Sequence, residues 1–266
     1  SEVAYLEDGD VFLLSREGIS GDDSALVPNF EVLDGTYEEQ DSGRFEHMML
    51  KEIFDQPISI SNAMSGRISA DGMNVELGGL SLSRDEVAKL ERINIVACGS
   101  AFYASLIGVE FLRRFTDIQV EAFRASEFPA KSVCNEGTLT IGVSQSGETK
   151  DTLDALQEAK VHGSKISSFC NVIGSTISRL TGNGAYLHAG PEFAVASTKA
   201  VTNMMVSFAL LSLHLSNNNS EKREIISEMR RLPSRITRQL LEDDGSIQKA
   251  VEIISNANSA IFIGRG

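Results

Sequence analysis

Apolar and polar positions change rhythm along this chain near residue 92. Upstream, the short apolar runs Val3-Ala4-Tyr5-Leu6 and Val11-Phe12-Leu13-Leu14 flank Glu7-Asp8-Gly9-Asp10 and predict a β-hairpin about an Asp-Gly turn. The stretch from there to about Gly43 is acidic and shows little period. A helical spacing opens at Phe45, with Met48, Met49, Ile53 and Phe54 on one face and Pro57 as the expected stop. Ser83 and Glu86 are spaced as a capping box for a helix over 83–92.

From Ile93 onward, short apolar runs alternate with helical stretches. Strands are predicted at 93–97, 118–123, 138–143, 165–170 and 185–189, and helices at 102–115, 149–162 and 197–215. A charged helical region follows, with an expected break near Pro233. This alternation predicts an α/β domain, a doubly wound five-stranded parallel sheet flanked by helices and joined by right-handed crossovers. Residues 247–255 read as another helix, and 260–266 as a strand entering a glycine turn, repeating the pattern around 93–100. That repeat reads as the opening of a second α/β unit, and the sequence reads as cut at both ends.

Composition narrows the class. With 266 residues, 42% of them apolar, the chain can bury one large core. The longest apolar stretch, 201–215, is interrupted by Thr202, Asn203, Ser207, Ser212 and His214, so it predicts a buried helix rather than a membrane span. No signal-peptide pattern opens the chain, and a cytoplasmic setting with no membrane partner is the expectation. A formal charge of −13 argues against a broad nucleic-acid surface. Small anions stay open to it, because helix N-termini bind phosphate whatever the net charge. Cys98, Cys134 and Cys170 lack metal or redox spacing and read as free thiols; His47, His162, His188 and His214 are scattered. No metal and no cofactor is expected.

The strongest local signal is Ser144-Gln145-Ser146-Gly147-Glu148-Thr149, where an apolar strand meets a helix whose inner face carries Leu153, Leu156 and Ala159. Ser144, Ser146 and Thr149 supply hydroxyls and Gln145 an amide at a helix start, a donor set suited to a phosphate monoester. An ordinary N-cap at Ser146 fits the same residues. Cys98-Gly99-Ser100-Ala101 ends another strand before another helix, and Cys98 is expected to pack beneath that turn rather than react. Pro191 to Ala200 forms a third such segment, with Ser197 as the expected N-cap of the long helix. No P-loop, dinucleotide fingerprint or nucleophile elbow is present in the sequence.

Together these motifs resemble the sugar isomerase (SIS) domain. The flanks, Leu50-Lys51-Glu52-Ile53-Phe54-Asp55-Gln56-Pro57, Ala125-Ser126-Glu127-Phe128 and Leu232-Pro233-Ser234-Arg235-Ile236, are similar to the glutamine–fructose-6-phosphate aminotransferase (isomerizing) family. The resemblance implies a protein that converts fructose 6-phosphate and glutamine to glucosamine 6-phosphate and glutamate, as a homodimer with a glutaminase domain and two SIS domains. It implies that 1–37 is the tail of the glutaminase domain, 38–241 the first SIS domain and 242–266 the start of the second. Carried over by position, Ser144, Gln145, Ser146 and Thr149 hold the phosphate of fructose 6-phosphate or glucosamine 6-phosphate. Ser100 contacts the sugar, and Val195 and Ser197 meet its hydroxyl end. The catalytic acid–base residues and the glutaminase nucleophile fall outside this chain, leaving no catalytic residue here. Two departures stand out: Ala101 replaces a family serine, and Phe193-Ala194 replaces Ile-Gly. A non-catalytic sugar-phosphate-binding module and a stand-alone sugar-phosphate isomerase stay open as alternatives.

Overall fold

A computed structural model describes residues 2–4, 9–16, 18–21, 30–32, 42–216, 219–242 and 245–264. Two compact units make up the chain, Ser1–Arg44 and Phe45–Gly266. In the first, β1 (Glu2–Ala4), β2 (Phe12–Ser15), β3 (Gly18–Gly21) and β4 (Phe30–Val32) form two antiparallel pairs, β1 with β4 and β2 with β3. The hairpin expected between Val3–Leu6 and Val11–Leu14 is therefore corrected: the second run folds forward onto β3. Gly18, at φ +137°, gives the tight reversal that an L-residue resists, and Ser15 Oγ donates to the Gly18 carbonyl at 3.2 Å. Tyr5, Leu6, Glu7 and Asp8 lie outside the described residues.

The second unit begins with α1 (Met48–Met64), then α2 (Arg84–Ala88), β5 (Arg92–Ala97), α3 (Gly99–Phe115), β6 (Gln119–Arg124), α4 (Ala130–Val133) and β7 (Thr138–Ser144). It continues through α5 (Lys150–Val161), β8 (Lys165–Cys170), α6 (Thr176–Thr181), β9 (Gly184–Tyr186), α7 (Lys199–Leu215), α8 (Asn219–Leu241) and α9 (Ser246–Ser255). All five strands run parallel in the order β6-β5-β7-β8-β9. Alternate residues of β5 enter different cores. Ile93, Ile95 and Ala97 join Phe169, Met204 and Phe208 on the α3–α7 side, while Val96 packs with Ala155, Leu156 and Ile177 on the α5–α6 side. The result is the expected three-layer α/β/α arrangement.

α7 is the central helix, buried along most of its length between α1 and α3. Its approach to α3 depends on Gly108, where an added Cβ would lie 2.5 Å from the Phe208 ring. The capping box of α2 forms as expected, Ser83 Oγ accepting from the Glu86 amide at 3.3 Å and Glu86 Oε2 accepting from the Ser83 amide at 2.8 Å.

Several expected boundaries move. α1 does not stop before Pro57 but runs through it. Proline cannot donate to the Ile53 carbonyl, and Gln56 Nε2 donates to that carbonyl instead at 2.9 Å. α8 likewise continues through Pro233, held on one side by buried Ile226 and Met229 and on the other by partly buried Ile236. β9 ends at Tyr186 rather than at 189, because His188 turns into the left-handed region at φ 53°. Residues 260–264 form no strand, and Ile261, Phe262 and Ile263 stand exposed. No strand among the described residues pairs with them, and a ladder needs a partner for its N–H and C=O groups. No helix among the described residues is long and apolar enough to cross a membrane.

Candidate functional site

β5 is flanked by β6 on one side and β7 on the other, so successive crossovers leave it in opposite directions. An open α/β sheet places its crevice outside the carboxyl ends of the two strands at such a switch point. A cleft of about 320 Å³ opens there. Ser100, Ser144, Gln145, Ser146, Thr149, Val195 and Ser197, separated by up to 97 positions in sequence, all line it. Its only ionisable lining groups among the described residues are Cys98 and Glu192.

The 144–149 turn is internally braced. Ser144 Oγ accepts from the Gly147 amide at 2.9 Å and lies 2.9 Å from Thr149 Oγ1, while Ser146 Oγ accepts from the Glu148 amide at 3.2 Å. The N-cap of α5 is Thr149, not Ser146, and its side chain makes no capping bond. The first-turn amides of α5 thus face the cleft end of the helix, where the dipole is positive and the helix supplies them no acceptor. Gly147 sits at φ +70°, and a Cβ there would lie 2.0 Å from Ser175 Oγ. Both facts demand glycine. Glu148 ties the turn to α6: its carboxylate accepts from the Thr176 amide at 2.8 Å, and the hydrogen bonds from Thr176 hold its pKa below the usual carboxylate value.

The 98–101 turn opens α3, with Cys98 as N-cap and Gly99 at φ +55°. Ser100 brings a hydroxyl to the cleft; Ala101 beside it brings only a methyl group. Cys98 Sγ lies 3.9 Å from both Asp151 Oδ2 and Thr152 Oγ1. Cys170 lies under the 144–149 turn, and burial pushes its thiol up to about 11, which keeps it protonated at neutral pH.

Two carboxylates that the sequence reading passed over organise the third segment. Glu192 Oε1 accepts from the amides of Thr198 (2.8 Å) and Ala200 (3.2 Å), and its Oε2 accepts from Ser197 Oγ (2.8 Å). Ser197 is therefore not the N-cap of α7; Thr198 holds that position, and Glu192 does the capping from outside the helix. Glu52, 1% exposed on α1, accepts from the amides of Phe193 (2.6 Å) and Ala194 (3.2 Å). Its place among Ser59, Ile60 and Ala63 on the buried face of α1 was the available signal: an acid facing a core needs donors nearby. Below the loop, Lys199 Nζ, itself buried, pairs with Asp55 Oδ2 at 3.2 Å, and Lys51 pairs with the same oxygen at 2.8 Å. Val195 stands fully exposed at the lip.

Residues 86–213 match the SIS domain. Along 277 residues the chain is 37% identical to the glutamine–fructose-6-phosphate aminotransferase (isomerizing) of Chlorobaculum tepidum, covering 100% of this chain and 44% of that one. It is 39% identical over 272 residues to that of Thermus thermophilus, covering 99% and 44%. The chain carries a SIS domain and is homologous along its length to part of the glutamine–fructose-6-phosphate aminotransferases (isomerizing). Among solved structures, the C-terminal domain of glucosamine-fructose-6-phosphate aminotransferase from Francisella tularensis superposes with a TM-score of 0.72 at 28% identity, covering 81% of this chain and 61% of that one. The chain spans less than half the length of the curated relatives it matches. Within that span lie all three segments that form the cleft.

Proposed function

We propose that the cleft binds a hexose 6-phosphate, its phosphate at Ser144, Gln145, Ser146 and Thr149 and its hydroxyl end against Ser100, Val195 and Ser197. The observation that carries this reading is the hydroxyl-rich turn at the N-terminus of α5, at the switch point of the sheet. A monoester phosphate needs several donors but no fixed cation, and this cleft offers donors without a lysine or arginine in its lining. The chain is then the sugar-holding part of a protein that converts fructose 6-phosphate and glutamine to glucosamine 6-phosphate and glutamate. On the same reading 1–37 ends a glutaminase domain where glutamine is used, 38–241 is the first SIS domain, and 242–266 starts the second. The exposed apolar residues of 261–263 and of α9 fit that last assignment. A homodimer working in the cytoplasm completes the proposal.

Calorimetry with fructose 6-phosphate tests it. Ser146→Ala and Thr149→Ala should each weaken binding about tenfold, the loss of one hydrogen bond to a charged group. Unchanged affinity in both variants, each still folded, would remove the phosphate assignment.

A further inference from the structure

Three helices begin at this cleft, and their N-termini are not equivalent. Those of α3 and α5 open onto it through Gly99-Ser100-Ala101 and Ser146 to Thr149. That of α7 is already occupied by an anion of the chain itself. Glu192 reaches back to accept from the amides of Thr198 and Ala200 and from the Ser197 hydroxyl. A carboxylate engaged in three hydrogen bonds at the positive end of a 17-residue helix is held in place. It also lines the cleft, so a ligand that fills the cleft meets a fixed negative charge at the 192–197 end.

We infer that Glu192 is a specificity-determining residue: it closes the α7 N-terminus to phosphate and so disfavours a sugar that carries a second phosphate at the 192–197 end of the cleft. The inference rests on the sugar-phosphate reading and extends it to the polarity and charge of the ligand. Without Glu192, the α7 N-terminus would be a second anion site facing the first, and a sugar phosphate could enter in either direction. With it, a second phosphate is opposed by like charge in a partly enclosed site. An ionised carboxylate has about four lone-pair positions, of which the Ser197, Thr198 and Ala200 donors use three, leaving one for a sugar hydroxyl. The same side chain thus rejects a phosphate and accepts a hydroxyl.

The test compares fructose 6-phosphate, fructose 1,6-bisphosphate and inorganic phosphate on the 266-residue chain by calorimetry. Wild type should bind one inorganic phosphate and prefer the monophosphate sugar by about tenfold or more. Glu192→Gln keeps a carbonyl oxygen able to cap α7 and removes the charge. It should lower that preference to near unity while fructose 6-phosphate affinity changes only a few-fold. Glu192→Ala, checked for fold by circular dichroism, should in addition take up a second inorganic phosphate. Wild type that binds the two sugars equally, or a folded Glu192→Gln that keeps the full preference, would overturn the role of Glu192 alone. Wild type that binds none of the three would overturn the sugar-phosphate reading together with it.

Discussion

Ala101 lines the cleft in the first turn of α3, 7% exposed, and sets a methyl group beside the Ser100 hydroxyl. Ala101→Ser adds one donor at a helix end without changing the backbone. It should tighten fructose 6-phosphate binding by ~0.5–1.5 kcal/mol, roughly three- to tenfold, as read by calorimetry. The donor set at 98–101, Ser144 to Thr149 and 195–197 was legible in the sequence because each segment is a strand-to-helix or loop-to-helix turn of small polar residues. The carboxylates behind them were not. Glu52 and Glu192 act through amides of residues whose position depends on the folded loop, and nothing in their neighbours announces those partners.

Helices α1 and α7 are joined through polar groups as well as by apolar packing, and that seam supports the cleft loop. Asn203 Nδ2 donates to the carbonyls of Ser59 (3.0 Å) and Leu187 (2.9 Å), and Thr202 Oγ1 donates to Gln56 Oε1 at 2.6 Å. The ion pair Asp55–Lys199 closes the seam at the start of α7. Partial burial raises the Asp55 pKa, but the hydrogen bonds from Lys51 and Lys199 outweigh it, so the folded-state value lies below the ordinary carboxylate. A depressed folded pKa contributes stability that is complete above the unfolded value and lost as pH falls through the folded one. Asp55→Asn leaves Lys199 buried without its anion and should cost about 3 kcal/mol at neutral pH. Thermal denaturation should show that gap between wild type and variant at pH 7, narrowing below about pH 4 as wild-type Asp55 protonates. A gap that does not change with pH would mean that packing, not the ion pair, was lost.

At the scale of the whole molecule, the cleft lining is rich in hydroxyl groups and poor in acid–base groups. Ring opening and proton transfer between neighbouring carbons need a general acid and a general base within hydrogen-bond reach. No histidine or lysine among the described residues lines the cleft, and the Glu192 carboxylate is engaged by Ser197, Thr198 and Ala200. The 266-residue chain should therefore form no glucosamine 6-phosphate from fructose 6-phosphate with either glutamine or ammonia in a coupled assay. Product at the rate of a full-length relative would place the acid–base groups inside this chain. The apolar residues Ile247, Val251, Ile253 and Ile254 of α9 are exposed to solvent.

The sequence by itself determined the alternation of strand and helix from 93 to 215, the parallel sheet that follows from it, and the three turns that meet at its switch point. Those features are local: a period of two or 3.6, a cap, a glycine that an open turn requires. Tertiary structure alone decided which strands pair among the described positions up to residue 32, where β2 chose β3 and β1 chose β4. It also decided that α1 and α8 pass through Pro57 and Pro233, because packing on both sides and a donor from Gln56 outweigh the lost backbone hydrogen bond. The electrostatic character of the cleft belongs to the same class. A glutamate six residues before the N-cap of a helix becomes its cap, and a barrier to a second anion, only when the loop between them folds back on itself.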